Sequence, residues 1–322
     1  MATPGYNTAG NNVSGQFGMP LYGIAAMLPF RGNYFWVDEV NGSDGNTGGP
    51  QDPFATLTQA LSKCTANNDD VVFVAGTIHL TVSLAWSKSR THMIGLNGGG
   101  APGPSLLTVS NVAATTGAFS PLVNVTGAGC TFQNISALSG IAQAAAQVCW
   151  AEAGGNNDYI ACSFSQVGNA TAAAHAGNRA LTLASANNSF SRCIIGGDAI
   201  VRATGTNFTM EMLAGAGSST FVSCYFVMWS SVAASAQINA ATVTCTGYFI
   251  FDDCLFINDM GNAGAVASTL PLTISATAGA VFVLASSTSV VGVAGKVATT
   301  GQLVFITSAP TAANGNVAST TT

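Results

Sequence analysis

Tyr159-Ile-Ala-Cys162-Ser-Phe164, Phe190-Ser-Arg-Cys193-Ile-Ile195, Phe221-Val-Ser-Cys224-Tyr-Phe226 and Phe251-Asp-Asp-Cys254-Leu-Phe256 are one phrase written four times. The cysteines stand 31, 31 and 30 residues apart (193−162, 224−193, 254−224), each with an aromatic three positions before it and an apolar residue two after it. A fixed period of roughly 20–50 residues marks a repeat architecture, in which each unit buries its face only against its neighbours. One rung earlier, after Cys130-Thr-Phe-Gln-Asn, Ile135 takes the cysteine slot (162−135=27). A second apolar strand recurs in each repeat, at residues 147–150, 180–183, 208–212, 242–245 and 270–274. Two or three short strands per turn, with no helix between them, is the pattern of an all-β parallel β-helix. Segments 142–146, 168–177, 230–236 and 261–267 read as loops added on one side of the coil, where solenoids often carry an interaction surface.

Composition bounds the rest. A length of 322 residues could hold two average domains, but a solenoid absorbs it as one continuous core. Only 7% of residues are charged, against roughly 25% in typical soluble domains. Mean hydropathy is +0.41. So few charges point to a β-rich surface of Thr, Ser and Asn with the remainder buried against other subunits, that is, to a component of an assembly. Net charge is −5, and the eight basic residues are spread singly from Arg31 to Lys296, which argues against nucleic-acid binding by phosphate neutralisation. The most apolar stretch, 270–293, is broken by Pro271, Gly279 and Gly292 and alternates like strands, so no membrane span is expected. Met1-Ala-Thr-Pro-Gly carries neither the charged nor the apolar region of a secretory signal.

The eight cysteines admit disulfide or metal readings. The repeat phase favours reduced core cysteines, because stacked rungs place equivalent side chains in a ladder along one inward face, and free Cys is a small, buried hydrophobe. There is no C-x-x-C, and His79, His92 and His175 are far apart in sequence, so no metal site or cofactor is expected.

Three regions follow. Residues 1–32 are a Gly-, Asn- and Pro-rich arm whose apolar cluster, Met19-Pro-Leu-Tyr-Gly-Ile-Ala-Ala-Met-Leu-Pro-Phe30, suits docking on a partner or neighbouring subunit. Residues 33–275 are the coil. It begins with a strand at 34–37, a Gly/Asn/Asp loop, and a helix with Thr56 as N-cap and Leu57, Ala60, Leu61 and Cys64 as its apolar face. Strands are expected next at 71–74, 77–81, 91–96, 106–109 and 121–125. Residues 276–322 are a small β-rich C-terminal segment and tail, suited to covering the open end of a coil.

The segment Phe35-Trp-Val-Asp38, Gly42-Ser-Asp44, Asn46-x-Gly48 and Pro53-Phe54-x-Thr56-Leu57-x-x-Ala60 resembles the opening of pectate-lyase-like, right-handed parallel β-helix proteins. Its continuation, Asp70-Val-Val-Phe-Val-Ala-Gly76 and Ile94-Gly-Leu-Asn-Gly98, is similar to the first rungs of β-helix proteins of tailed-bacteriophage virions. The resemblance covers about residues 34–98. It implies a right-handed coil with a helix capping one end, in a class that includes tailspikes, fibres and capsid decoration proteins, often trimeric. Fold alone does not choose among them.

Chemistry is sparse in the repeats. Glycoside hydrolysis needs two carboxylates across the bond. The carboxylates available, Glu152, Asp158, Asp198, Glu211, Asp252, Asp253 and Asp259, occupy differing phases, except that Asp198 and Asp259 both lie five after a cysteine (198−193, 259−254). They read as turn and cap residues, with Asp252 and Asp253 as solvated or interface charges rather than partners of Arg192 or Arg202. Asp38, Asp44 and Asp52 could form a Ca²⁺ cluster, but Asp in such loops commonly bonds its own backbone. Asn97-Gly-Gly-Gly100 lacks the helix and Lys that phosphate cradling requires. His175 reads as a loop residue, and of the four tryptophans only Trp150 and Trp229 fall in the cysteine-bearing repeats, a thin sugar platform.

The expectation drawn is a non-enzymatic structural virion protein. It would be a capsid decoration or cement subunit bound to the major capsid protein on the head exterior, self-associated as a homotrimer, with no catalytic, cofactor or metal residues. The alternative is a tailspike or fibre β-helix that binds or cleaves host surface polysaccharide. A secreted adhesin or polysaccharide lyase is a third reading, weakened by the missing signal.

Overall fold

Each cysteine phrase is a strand, a two-residue corner that includes the cysteine, and a second strand. In the computed structural model the aromatic lies in one strand, the residue before the cysteine turns left-handed, and the chain leaves in a strand of the next sheet. The corner residues Asn134, Ala161, Arg192, Ser223 and Asp253 have φ between 51° and 55°. Their N–H groups donate across to the next turn, as Ala161 does to the Ser191 carbonyl at 2.8 Å. The structure describes residues 30–96, 105–109, 119–139, 147–165, 170–173, 175, 177–197, 200–202, 207–240, 245–258, 272–274, 279–285, 287–291, 303–306 and 318–319.

The chain opens with β1 (Tyr34–Asp38), α1 (Leu57–Lys63), β2 (Asp70–Ala75), β3 (Thr77–Leu80), β4 (Leu84–Trp86) and β5 (Thr91–Gly95). β2, β3 and β4 enter three different sheets, and later turns repeat that order, as in Asp158–Ile160, Ser163–Ser165 and Arg179–Leu183. Among the described residues the sheets hold eleven, eight and seven strands. All pair in parallel apart from Leu303–Ile306 with Ala318–Ser319. The result is a right-handed parallel β-helix, the sense that right-twisted strands impose on parallel crossovers.

Register explains the repeat. Tyr159 pairs with Phe132 and Phe190, and Phe221 with Phe190 and Phe251. Their rings form one column, with centroids 4.6–5.1 Å apart and planes within 10° of parallel. Ser163 pairs with Ser136 and Ile194, which puts Ile135 in line with Cys162 and Cys193, as the sequence indicates. Each thiol donates to the carbonyl of the aromatic one turn back: Cys162 to Phe132, Cys193 to Tyr159, Cys224 to Phe190 and Cys254 to Phe221, at 3.3–3.4 Å. All eight cysteines are free and buried. A cysteine fits because it fills little volume and still offers a weak donor.

Two further ladders have the same period. Asn157 Oδ1 accepts from Cys130 N, Asn188 Oδ1 from Asn157 N, and Ser219 Oγ from Asn188 N. Asn178, Asn207 and Ser235 do the same at another corner. Buried backbone N–H groups at the bends are thereby satisfied, as a dry interior demands.

The capping helix is as expected. Thr56 Oγ1 accepts from Gln59 N at 3.1 Å, and Leu57, Ala60 and Leu61 are buried. Lys88 Nζ bonds the carbonyls of Leu61, Ser62 and Cys64 at 2.5–3.0 Å, a cation at the negative end of the helix. One strand expectation is corrected. In the fourth repeat the second strand is Ala236–Ala240, with Ile238 pairing Met210 and Leu272, so the loop read at 230–236 ends earlier. Of the strand expected at 242–245, only Cys245 is described, just ahead of Thr246–Asp252. Thr-Val-Thr-Cys carries the stronger β preference, yet Ala-Gln-Ile-Asn-Ala is held by the strands on both sides. Residues 1–29 and most of 292–322 lie outside the described residues, as do the loops expected at 142–146 and 261–267.

Candidate functional site

The first turn departs from the repeat because 18 residues, 39–56, separate β1 from α1. Glu39, just past β1, reaches across to β3. Its Oε2 accepts the His79 N–H at 2.6 Å, and its carboxylate oxygens lie 3.1 and 3.3 Å from His79 Nδ1. A carboxylate can only accept, so the proton of the neutral ring sits on Nδ1 and Nε2 presents a lone pair outward. The pair is open to solvent, the His79 side chain at 48% and Glu39 at 35%.

Asp44 fixes the rest of the loop to the helix. Its Oδ1 accepts from Ala55 N and Thr56 N at 3.1 and 2.9 Å, and its Oδ2 from Thr56 Oγ1 at 2.8 Å. Gln59 Nε2 returns to the Asp44 carbonyl at 3.0 Å. Between α1 and β3 this leaves a cavity of about 440 Å³, bordered by Glu39, Asp44, Thr56, Thr58, Gln59, His79, Thr81 and Val82. A second, of about 290 Å³, continues past Ser62, Ser83, Leu84 and Lys88. Thr58 and Val82 border both, so the two open cavities adjoin along one side of the helix and together make a channel-like surface. It offers an acceptor imidazole oriented by a carboxylate, hydroxyls, an amide, and one exposed valine. Such an imidazole can accept a hydrogen bond or act as a general base toward a bound hydroxyl.

The residues considered from sequence lie elsewhere or are already occupied. Asp38 accepts from Val40 N, Asn41 N and Asn41 Nδ2, and Asp52 from Thr47 N and Oγ1, so with Asp44 the three carboxylates each hold their own stretch of loop. No group of three His, Cys, Asp or Glu among the described residues could hold a metal ion. Glu152 is fully buried and accepts from Gly154 N, Gly155 N, Asn157, Ser185 and the Tyr159 hydroxyl. Burial, followed by the charge of Glu152, holds the Tyr159 phenol protonated far above its usual range. Glu211 pairs with Arg179 at 2.8 Å and takes Asn239 Nδ2 at 3.0 Å. Asp252 and Asp253 accept from the hydroxyls of Ser287 and Ser223. Asp198 and Asp259, the pair sharing a phase, lie outside the described residues, as does the 97–100 glycine run.

Nucleophilic cysteine chemistry has no support either. Burial pushes the Cys193 thiol well above its ordinary value, and the adjoining Cys193 thiol, with burial, raises Cys224 to about 12. Trp36, Trp86 and Trp150 are buried and give no sugar platform. The Glu39–His79 pair was not foreseen, because its members are 40 residues apart and outside the period. The readable signal was the long loop itself, which interrupts the repeat in its first turn.

No protein-family model matches the chain, and no curated protein does. Solved structures do match. A rhamnogalacturonan lyase is 12% identical, with 80% of this chain and 75% of that chain covered and a TM-score of 0.48. A pectin methylesterase from Aspergillus niger is 15% identical, with 84% and 90% covered and a TM-score of 0.49. A pectate lyase is 10% identical, with 87% and 81% covered and a TM-score of 0.48. At such identities the likeness shows the pectate-lyase-like fold alone. It does correct one expectation. The sparse carboxylates of the repeats and the low charge point in sequence to a non-enzymatic protein, yet these structures carry the names of polysaccharide-degrading enzymes, so the exclusion of enzyme activity is withdrawn. None of the structures named here is a virion component.

Proposed function

We propose that this chain is a β-helix that binds polysaccharide, in the manner of a tailspike or fibre, and that the channel beside α1 holds the sugar chain. The carrying observation is the adjacency of the two cavities along α1, bordered in common by Thr58 and Val82. Two adjoining open cavities, with hydroxyls set among apolar surface, suit a linear chain better than a compact cofactor, which favours an enclosed pocket. His79 and Glu39 supply the polar contact at its wider end. The stacked rungs below make a stiff rod that presents this end. The capsid decoration reading is not carried forward, since no described surface favours a capsid protein as partner.

A panel of purified polysaccharides and their oligosaccharides, measured by isothermal titration with parallel analysis for released fragments, tests the proposal. Binding that weakens on substituting His79 supports it; binding indifferent to His79→Phe and to Thr58→Trp, which fills the channel, sinks it. Self-association belongs to the same proposal. Sedimentation of a single species at about three times the 32.3 kDa chain supports a trimeric rod, and a monomer rules it out.

A further inference from the structure

We infer that the channel selects an uncharged glycan over a uronate-bearing one, with His79 Nε2 accepting a hydrogen bond from a sugar hydroxyl. This rests on the reading of the channel as a polysaccharide site and deepens it to a substrate class. Charge and unused hydrogen-bonding capacity along the walls both point this way.

The wider part of the channel is bordered by two carboxylates, Glu39 and Asp44, and by neither Lys nor Arg. The two carboxylates make this part of the wall negative. The one ammonium, Lys88, stands at the far end and is committed to three carbonyls of the helix terminus. The place where an anion would profit from backbone N–H groups at the start of α1 is filled by Asp44, which takes Ala55 N and Thr56 N. A sugar carboxylate therefore meets two like charges and no free cation. In water, each like charge at about 6 Å lowers binding about threefold, so the pair lowers it about tenfold.

An uncharged sugar meets no such opposition. Glu39 fixes the His79 ring through Nδ1 and leaves Nε2 without a hydrogen-bond partner among the described residues. Hydroxyls of Thr58 and Thr81 border the same space, and Val82, 58% exposed, offers an apolar contact for a ring face. A carboxylate-oriented acceptor next to hydroxyls and a methyl surface matches an alcohol-rich, uncharged chain.

The experiment compares, at neutral pH and low salt, neutral gluco-, galacto- and manno-oligosaccharides with galacturonate and glucuronate oligosaccharides of equal length. At least one neutral series is expected to bind about tenfold more tightly than the uronates. Glu39→Gln, whose amide oxygen can still accept from Nδ1, is expected to raise uronate affinity about threefold relative to the neutral series measured in the same variant. His79→Phe is expected to weaken the neutral series about fivefold, the loss of one hydrogen bond, while His79→Gln recovers most of it. Added salt in the unsubstituted protein should improve uronate binding and leave neutral binding flat, a readout that needs no variant to fold. Uronates binding as tightly as neutral chains would overturn this inference while preserving the polysaccharide reading; no binding by either class would overturn both.

Discussion

In the cysteine-bearing turns each inward side chain meets its own equivalent, ring on ring from Phe132 to Phe251, and each ladder asparagine accepts from the N–H one turn back. In the first turn that equivalence stops. Among the described residues the 39–56 loop and α1 have no counterpart of similar length in later turns, and there Glu39, His79, Thr58 and Thr81 border open space. Both regions belong to one coil, but they spend polar groups differently. Where rungs repeat, the capacity of a side chain is consumed by its neighbours and converted into stability. Where the repeat is broken, some capacity is left for a ligand.

The comparison breaks most easily at the aromatic column. Phe190 is fully buried, stacked on Tyr159 at 4.6 Å and on Phe221 at 4.7 Å. Phe190→Ala should cost about 3–5 kcal/mol, the usual penalty for an aromatic cavity, in urea unfolding followed by circular dichroism. The His79 imidazole resonances should not move in the still-folded variant. A loss below about 1 kcal/mol, or a shifted His79, would show that the two regions are not divided in this way.

Asn188 comes next. Its Oδ1 accepts the buried Asn157 N–H, and its own N–H reaches Ser219. Asn188→Leu keeps the volume but strands the Asn157 N–H, at about 2–3 kcal/mol in the same unfolding assay. Asn188→Ser, the residue that nature places at the end of both ladders, should recover part of that loss; no recovery would mean packing, not hydrogen bonding, decides this corner.

The first turn has its own sensitivity to acid. His92 is buried under the Phe30 ring at 3.7 Å, and its Nδ1 accepts from Thr131 N at 3.0 Å. Burial lowers its pKa to about 4, against a partial opposing pull from Asp69. The unfolded chain thus takes up a proton near pH 6.5 that the folded chain refuses until about pH 4. Stability is therefore full above that window, falls as pH drops through it, and levels off below it, by about 3 kcal/mol in all. The difference between the unfolding curves of the unsubstituted protein and His92→Phe isolates this group. A difference that does not change between pH 7 and pH 4 would remove His92 from the account.

How far the sequence was legible follows the same division. The Phe-x-x-Cys phrase reports the coil because identical rungs demand identical side chains, so period and register appear together. The asparagine ladders carried the same signal, 188−157 and 219−188 both being 31, but Asn is common in this chain and its turn role hid its buried one. The strand at Ala236–Ala240 was missed because neighbouring strands, not its own residues, make it a strand. Glu39 and His79 were illegible for a different reason. Their meeting depends on how a non-repeating loop crosses the first rung, and no period encodes that path.

The smallest effect tests whether rungs that look equivalent are equally relaxed. At the shared corner, Asn134 and Ala161 hold nearly the same left-handed backbone, φ 54° and 53°. Asn tolerates that region through its short polar side chain, whereas Ala meets its own Cβ against the following carbonyl, at about 1–2 kcal/mol. Ala161→Gly removes the Cβ and keeps the N–H donated to Ser191, which bonds at 2.8 Å. The unfolded chain gains freedom from the glycine, which returns part of the benefit, so the net is a stabilisation of about 0.5–1 kcal/mol. The same change at Asn134 relieves less strain and should be neutral or slightly destabilising. Measured side by side in urea, equal effects at the two corners would mean that strain is not what separates them, and that the coil spreads it evenly among its turns.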